Sequence, residues 1–201
     1  MIISLAAIKG GVGKTTTGVH LAAFLNEIDP TLLVDADGNR TALKWAAQNK
    51  LPFKTVSLNA FPNHARNFRH FVIDTKGHPD SETLQELCDE CDVLILPTSP
   101  NFADVTAVID TFRKVKEAKA KSKVLFTKVK PGRSGLVNSD LANATEALDE
   151  ENIPYFKTFI PELVCLSRCI SSGVIVRDYK DAKSQNAWLA HFNLGKEIIN
   201  E

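Results

Sequence analysis

The feature of this sequence that most constrains its fold is a glycine-rich segment, residues 8–16, which reads Ile-Lys-Gly-Gly-Val-Gly-Lys-Thr-Thr. The apolar run from Ile2 to Ala7 precedes it and is typical of a buried strand, and the segment from Thr17 to Leu25 predicts a helix. A glycine-rich turn between a strand and a helix brings backbone N–H groups and the positive end of the helix dipole close to a bound anion. The sequence therefore predicts a phosphate-binding loop.

The polar side chains of this loop fit a nucleotide that carries Mg²⁺. Lys14 is placed to reach the β- and γ-phosphates, and the Thr15 hydroxyl is placed to bind the metal ion. We expect the other residues of the loop to cradle the phosphates, chiefly through their backbone N–H groups: Gly10, Gly11, Val12, Gly13 and Thr16.

Length and composition bound the class of protein. A chain of 201 residues predicts a single domain, residues 1–201, with enough sequence for a substantial core. Its 24 basic and 24 acidic residues cancel, so the overall charge does not indicate an acidic partner. No apolar run approaches the roughly 20 residues of a membrane span, and Met1 leads directly into the first strand. We therefore expect a cytoplasmic protein without a signal peptide.

Apolar strands alternate with helices along the whole chain, which predicts an α/β fold of the P-loop NTPase type. In such a fold a mostly parallel sheet carries helices on both faces, and ligands bind at the carboxyl ends of the strands. The predicted strands are 2–7, 31–35, 55–58 (a possible edge strand), 70–74, 92–97, 123–127 and 155–160. The further predicted helices are 41–48, 81–91, 102–120, 139–150 and 184–200, with a loop starting near Gly135.

Carboxylates follow two of these strands at the edge where the phosphate loop lies. Asp35 is the last residue of the strand 31–35, and Asp37 follows it two residues later. Asp74 is the last residue of the strand 70–74, within the segment Phe71-Val72-Ile73-Asp74-Thr75. An aspartate at the end of a strand can hold Mg²⁺ through a bound water molecule. Asp74 and Thr15 are therefore candidate metal-binding residues.

The loop departs from the usual P-loop pattern, because Ile8 stands where that pattern requires its first glycine and Lys9 follows it. The segment Lys-Gly-Gly-Val-Gly-Lys-Thr-Thr resembles the deviant Walker A motif of the ParA/MinD family of ATPases. Asp35-Ala36-Asp37 resembles the Asp-x-Asp motif of that family, and residues 71–75 resemble its Walker B strand. The resemblance extends along the whole chain and is strongest at residues 1–40 and 70–105. Trp45 resembles the short plasmid-partition ParA proteins. The compact layout, with the first strand starting at residue 2, is also similar to that of the carboxysome-positioning McdA branch.

This resemblance implies a specific ATPase mechanism. It implies that two subunits sandwich two ATP molecules, that Lys9 crosses to the nucleotide of the other subunit, and that Asp37 helps to position the attacking water. Asp35 would lie near the metal and support the loop. It further implies that Lys128, Pro161 and Glu162 contact the adenine base, and that a small adaptor protein stimulates a slow ATP hydrolysis.

Two loops differ from the family pattern. Gly38-Asn39 stands where Pro-Gln is usual after the second aspartate, and Thr75-Lys76-Gly77-His78-Pro79 replaces the usual proline-rich loop after Walker B. Lys76 and His78 are therefore unusual candidates for γ-phosphate or partner contacts. A solvated loop is the competing interpretation.

Two clusters of basic residues are candidates for DNA binding, as the family resemblance implies for an ATP-bound dimer. The first comprises Arg113, Lys114, Lys116, Lys119, Lys121, Lys123, Lys128, Lys130 and Arg133. The second comprises Arg168, Arg177, Lys180 and Lys183. A solvated helix face is the alternative for the first cluster. Because no base-reading motif is present, we expect any DNA binding to be independent of sequence and to place the protein on the nucleoid.

Other functions are compatible with parts of this pattern. A metabolic P-loop enzyme of the dethiobiotin synthetase or cobyrinate amidase type would phosphorylate a carboxylate, but Lys9 and the lack of a substrate-binding insertion argue against it. A MinD-like membrane-associated ATPase would need a basic amphipathic tail. The segment with Trp188, Leu189 and Phe192 has only Lys196 as a firm positive charge nearby, which suits core packing better than lipid binding. We therefore expect no membrane partner.

The four cysteines allow two interpretations. Cys88 and Cys91 form a CxxC pair, and Cys165 and Cys169 are one helical turn apart, so a four-thiolate zinc site is conceivable. The favoured interpretation is that they are small, buried helix residues of the core.

Overall fold

The computed structural model describes residues 1–77, 79, 81–114, 121–132 and 138–200, and for residues 81, 114 and 121 it describes the backbone alone. Six strands lie in these ranges: β1 (Ile2–Ala7), β2 (Thr31–Asp35), β3 (Lys54–Ser57), β4 (His70–Gly77), β5 (Val93–Thr98) and β6 (Lys121–Phe126). They form one sheet in the order β3-β2-β4-β1-β5-β6, and every neighbouring pair is parallel. The predicted parallel sheet is confirmed, with β3 at its edge.

Six of the helices match predicted ones, whereas those at 61–64 and 164–172 were not predicted. The helices are α1 (Lys14–Asn26), α2 (Thr41–Ala46), α3 (Phe61–His64), α4 (Ser81–Glu90), α5 (Phe102–Lys114), α6 (Ser139–Glu150), α7 (Val164–Ser172) and α8 (Ser184–Ile199). The predicted continuation of α5 over residues 115–120 and the predicted loop at Gly135 lie outside the described residues.

Helices cover both faces of the sheet, as predicted. The connection from β1 through α1 to β2 runs towards one edge, whereas the connections through α4 and α5 run towards the other. Because parallel crossovers are right-handed, α1 must cover the face opposite to α4 and α5. Alternate residues of β1 agree with this, since Leu5 packs into the cluster of α1 and Ala6 packs into the cluster of α4.

The largest core lies between the sheet, α1 and α8. Trp45 is buried in it, and its indole N–H donates a hydrogen bond to the Val174 carbonyl at 3.1 Å. On α8, Trp188 is buried and Phe192 packs edge-on against Phe24, with ring centroids 5.2 Å apart. Leu189 is 54% exposed, so the core packing expected for the apolar residues of the tail holds for Trp188 and Phe192 and is wrong for Leu189. No helix among the described residues is long and apolar enough to span a membrane.

The prediction of a last strand at 155–160 was wrong. Phe156 N–H bonds to Val124 O at 2.9 Å and Ile160 N–H bonds to Phe126 O at 2.8 Å, so four residues of this segment run beside only two of β6. Between these contacts, the N–H groups of 157 and 158 donate to the Glu197 carboxylate of α8 at 2.7 and 3.0 Å. The Glu197 carboxylate thus takes the backbone donors that a strand ladder would have used, and an isolated bridge between Tyr155 and Val124 of β6 remains.

Two buried histidines connect α1 to α8. The rings of His20 and His191 stack with centroids 4.5 Å apart, and neither ring is accessible to solvent. His20 donates from Nδ1 to the Thr16 carbonyl at 2.7 Å and accepts from the Val176 N–H at Nε2 at 2.8 Å. Within the described part of the chain, His191 Nε2 has no hydrogen-bond partner. Burial lowers the pKa of His191 to about 4 and holds the pKa of His20 well below its usual range.

We predict that acid destabilises the fold through this histidine pair. The unfolded chain takes up a proton at His191 below pH ~6.5, whereas the folded chain does so only near its pKa of about 4. Stability is therefore complete above the unfolded pKa and falls as the pH drops towards 4, by roughly 3 kcal/mol for this residue. Urea unfolding between pH 7 and 4.5 measures the loss. His191→Leu should show a shallower dependence on pH, and an unchanged dependence would contradict the assignment.

Candidate nucleotide site

The phosphate loop joins β1 to α1 at the carboxyl edge of the sheet. Gly11 and Gly13 have φ angles of 76° and 85°, a left-handed conformation that side chains with a Cβ rarely adopt. Gly13 is the N-cap of α1 and makes no side-chain capping bond, so the first turn of α1 keeps N–H groups available for an anion. The loop is also anchored from β6, because the Thr127 hydroxyl donates to the Val12 carbonyl at 2.7 Å.

Lys14 lies at the centre of the site and is only 8% exposed. Its Nζ contacts Asp74 Oδ1 at 2.5 Å, donates to the Thr75 carbonyl, and lies 3.4 Å from Asp37 Oδ2. The side chain thereby connects α1 to the ends of β4 and β2, which flank one another in the sheet. The structure therefore brings the loop lysine together with both carboxylates at the edge of the sheet where the sequence placed the phosphate loop.

Asp74 and Thr15 form a pair of oxygen donors beside the lysine. Asp74 is fully buried, and its Oδ2 accepts a hydrogen bond from the Thr15 hydroxyl at 2.7 Å. Burial raises the pKa of Asp74, although Lys14 and Thr15 counteract part of that effect. Carboxylate and hydroxyl oxygens are hard donors of the kind that Mg²⁺ takes. These two residues therefore fit a magnesium ion that accompanies a bound nucleotide.

Asp35 and Asp37 occupy different positions at the end of β2. Asp35 is buried, and its two oxygens accept the N–H groups of Asp37 at 3.1 Å and Leu43 at 2.9 Å. This geometry fits a residue that supports the loop and the start of α2, and the expected metal contact of Asp35 stays a prediction. Asp37 accepts the Asn39 N–H at Oδ1 and directs Oδ2 towards Lys14.

Lys9, at the front of the loop, makes a contact that sequence reasoning missed. Its Nζ lies 2.5 Å from Oδ1 of Asp104, near the start of α5. Phe102, two residues before Asp104, is 87% exposed on the same turn. The Lys9 ammonium is thus bound within its own subunit in this structure.

A cavity of about 570 Å³ lies beside the phosphate loop. The predicted base-contacting residues Lys128, Pro161 and Glu162 all line it. Its apolar wall comes largely from α7, to which sequence reasoning assigned no element. The apolar residues of this wall are Leu163, Val164, Leu166 and Ile170. The only available signal was the spacing of these residues, which suits one face of a helix.

The loop after Asp74 extends the sheet rather than forming a separate turn. β4 continues to Gly77, which pairs with Ala7 across a register shift in β1. Lys76 is exposed on this extension, and His78 lies outside the described residues. Both remain candidates for γ-phosphate or partner contacts.

Some of the basic residues that were candidates for DNA binding are paired with acids of this chain. In the first cluster, Arg113 pairs with Glu151 at 2.7 Å, while Lys128 and Lys130 are exposed beside the phosphate loop. Residues 115–120 and Arg133 lie outside the described residues, as does the side chain of 121. In the second cluster, Arg177 bonds to Glu27 and stacks on the Trp188 ring. Its other members, Arg168, Lys180 and Lys183, are exposed.

The cysteines belong to two different apolar clusters. Cys88 and Cys91 pack with Leu84 in the cluster of α4, whereas Cys165 and Cys169 belong to the main core. All four are free and buried, and burial raises the pKa of Cys91 to about 11 and of Cys169 to about 12. Thiols in these surroundings stay protonated and behave as small apolar side chains.

The chain is similar in sequence and in fold to several known proteins. The chain is 30% identical to the maintenance of carboxysome distribution protein A of Gloeobacter kilaueensis over 209 residues, which cover 98% of this chain and 93% of that protein. It is 24% identical to the protein ParA of Rhizobium radiobacter over 169 residues, which cover 74% and 76%. The fold matches that of a Cyanothece McdA variant in complex with ATP, with a TM-score of 0.72 and 18% identity over 99% of this chain and 96% of that one.

The family model that describes the CobQ/CobB/MinD/ParA nucleotide-binding domain matches residues 3–176, from β1 to the turn after α7. This range includes the phosphate loop, the three aspartates and the cavity beside the loop. The chain therefore belongs to the CobQ/CobB/MinD/ParA family of nucleotide-binding proteins.

Proposed function

We propose that this protein is an ATP-hydrolysing positioning protein, which binds Mg²⁺-ATP, dimerises around two nucleotides, binds DNA without sequence preference and positions a cargo. The cargo would be a plasmid or a protein organelle such as the carboxysome, in keeping with the names of its relatives. The observation that carries the proposal is the meeting of Lys14, Asp74 and Thr15 beside a loop that has a second lysine, Lys9, at its front.

The residues around Lys14 supply what phosphoryl transfer requires, which is positioning and neutralisation of charge. Lys14 would exchange its contacts with Asp37 and Asp74 for phosphate oxygens. Thr15 and Asp74 would hold magnesium, which when bound supplies positive charge at the β- and γ-phosphates. Asp37, which lies within reach of the same lysine, would orient the attacking water.

The second lysine makes the dimer part of the active site. Lys9 would leave its own subunit and neutralise the phosphates bound by the other, as an arginine finger does when it is supplied in trans. ATP would then hold the two subunits together, and its hydrolysis would release them. An adaptor protein that speeds this slow step would control how long the dimer persists.

DNA binding would use exposed basic residues. Lys128 and Lys130 lie beside the phosphate loop, and the exposed members of the second cluster lie on and after α7. Contacts from such residues to DNA phosphates are independent of sequence and weaken as salt rises. The protein would therefore act in the cytoplasm on the nucleoid.

Both rival functions lose support from particular observations. The tail that a MinD-like membrane role would use has Trp188 and Phe192 packed against the core. The mechanism of a metabolic P-loop enzyme assigns no role to Lys9. Among the described residues, no arginine that could bind a carboxylate substrate lines the two cavities beside the phosphate loop.

We predict that Lys14→Ala lowers the affinity for ATP about a hundredfold or more, because charge-assisted bonds to two phosphates are lost. Isothermal titration calorimetry with ATP and MgCl₂ measures the change. Lys196→Ala removes an exposed lysine of α8 and serves as the matched control. Unchanged affinity in a folded Lys14→Ala protein would contradict the role of Lys14.

We predict that DNA binding requires ATP and Lys9. Binding to a duplex of arbitrary sequence is measured for wild type, Lys9→Ala and Lys196→Ala without nucleotide, with ADP and with ATP, at two salt concentrations. We expect binding with ATP alone, weaker at the higher salt. It should be lost in Lys9→Ala and retained in Lys196→Ala.

No DNA binding with ATP would contradict the positioning function and favour the rivals. Co-sedimentation with anionic liposomes would then test the membrane role. ATP turnover that depends on an added small carboxylate would test the metabolic role.

A further inference from the structure

The ion pair between Lys9 and Asp104 joins two separate parts of the site. Lys9 belongs to the phosphate loop after β1, and Asp104 belongs to the first turn of α5 after β5. Their charged atoms lie 2.5 Å apart, and the side chains are 42% and 12% exposed. The acid is therefore held in a largely enclosed place, while the lysine that reaches it remains half in solvent.

The rest of the turn fixes the direction of the Asp104 carboxylate. Its Oδ2 accepts hydrogen bonds from Ser99 Oγ at 2.6 Å and from Asn101 Nδ2 at 2.9 Å. The Asn101 side chain in turn accepts the Asp104 N–H at 3.0 Å, which caps the start of α5. Oδ2 thus accepts the hydrogen bonds of the turn, and Oδ1 is directed to Lys9.

These contacts also keep Asp104 charged. Burial would raise the pKa of this carboxyl, but the hydrogen bonds from Lys9, Ser99 and Asn101 outweigh burial and lower it. Ser99 and Asn101 do not depend on Lys9 for their bonds to Oδ2. When Lys9 leaves, Asp104 keeps two hydrogen bonds, so its carboxylate does not become a buried group without partners.

We propose that Asp104 is a positioning residue that holds Lys9 within its own subunit and thereby sets the ATP concentration at which the dimer forms. The proposal rests on the function proposed above, in which Lys9 leaves Asp104 to reach the nucleotide of a second subunit. Asp104 lines the same cavity as Gly10 and Gly11, where the nucleotide phosphates of the proposed site would lie. Each dimer must break two such pairs.

The strength of the pair sets the size of the expected effect. A partly exposed, charge-assisted contact changes an equilibrium by about three- to tenfold. Removing the charge of Asp104 should therefore favour the dimer by a factor of this order for each subunit. If Asp104 only held the turn before α5 in place, its loss would weaken the fold without favouring the dimer.

The first test concerns the monomer and needs no dimer. Purified wild type, Asp104→Asn and Ser99→Ala, all without nucleotide, are treated with a lysine-reactive ester, and modification of Lys9 is followed by mass spectrometry. We expect Asp104→Asn to modify several times faster, since its Lys9 is no longer engaged. Ser99→Ala loses one bond to Oδ2 but keeps the lysine contact, so it should react like wild type. An equal rate in Asp104→Asn and wild type would overturn the pairing.

The second test measures the dimer by analytical ultracentrifugation with Mg²⁺ and a non-hydrolysable ATP analogue. Asp104→Asn should reach half-dimerisation at an analogue concentration about three- to tenfold lower than wild type, and Ser99→Ala at about the wild-type concentration. An equal or higher midpoint for Asp104→Asn would overturn the proposal. If Asp104→Asn does not fold by circular dichroism, Asp104→Ser takes its place. A wild type that stays monomeric would contradict the proposed function, while the first test would still decide whether Asp104 holds Lys9.

Discussion

The buried contact between Lys14 and Asp74 is the interaction on which the rest of the site depends. A carboxylate with no access to solvent is unfavourable unless a cation and hydrogen bonds compensate it, and Lys14 and Thr15 provide both. The same lysine also reaches the Thr75 carbonyl and approaches Asp37. One ammonium group therefore holds the ends of β4 and β2 against the start of α1, so a ligand that attracts this lysine acts on all three elements.

The two lysines of the loop differ in a way that suits different tasks. Lys14 is buried and surrounded by acceptors of its own subunit, whereas Lys9 is half exposed and held by the single acid Asp104. A half-exposed lysine can exchange its partner at a small cost in free energy when the acid that it leaves keeps other hydrogen bonds. The proposed division is that Lys14 serves the nucleotide of its own subunit and Lys9 serves that of the other.

Most of the fold could be predicted because the strands are continuous apolar runs with polar groups at their carboxyl ends. The prediction failed at 155–160, where Glu197 from a distant helix takes the backbone donors, and it missed the helix at 164–172. The placement of the phosphate loop and the aspartates at one edge followed from the parallel sheet, because the carboxyl ends of parallel strands share an edge. The contact of Lys9 with Asp104 could not be predicted, because it depends on how the phosphate loop and the start of α5 approach one another in space.

The most direct test of the central claim is ATP hydrolysis by a mixture of two defective variants, Lys9→Ala and Asp37→Ala. If Lys9 acts in trans, a mixed dimer has one complete site, formed by Asp37 of one subunit and Lys9 of the other. Mixing equal amounts before ATP is added should then restore about a quarter of wild-type activity, since half of the dimers are mixed and each has one working site of two. A mixture that stays as inactive as its components, although both variants fold and bind ATP, would contradict the account.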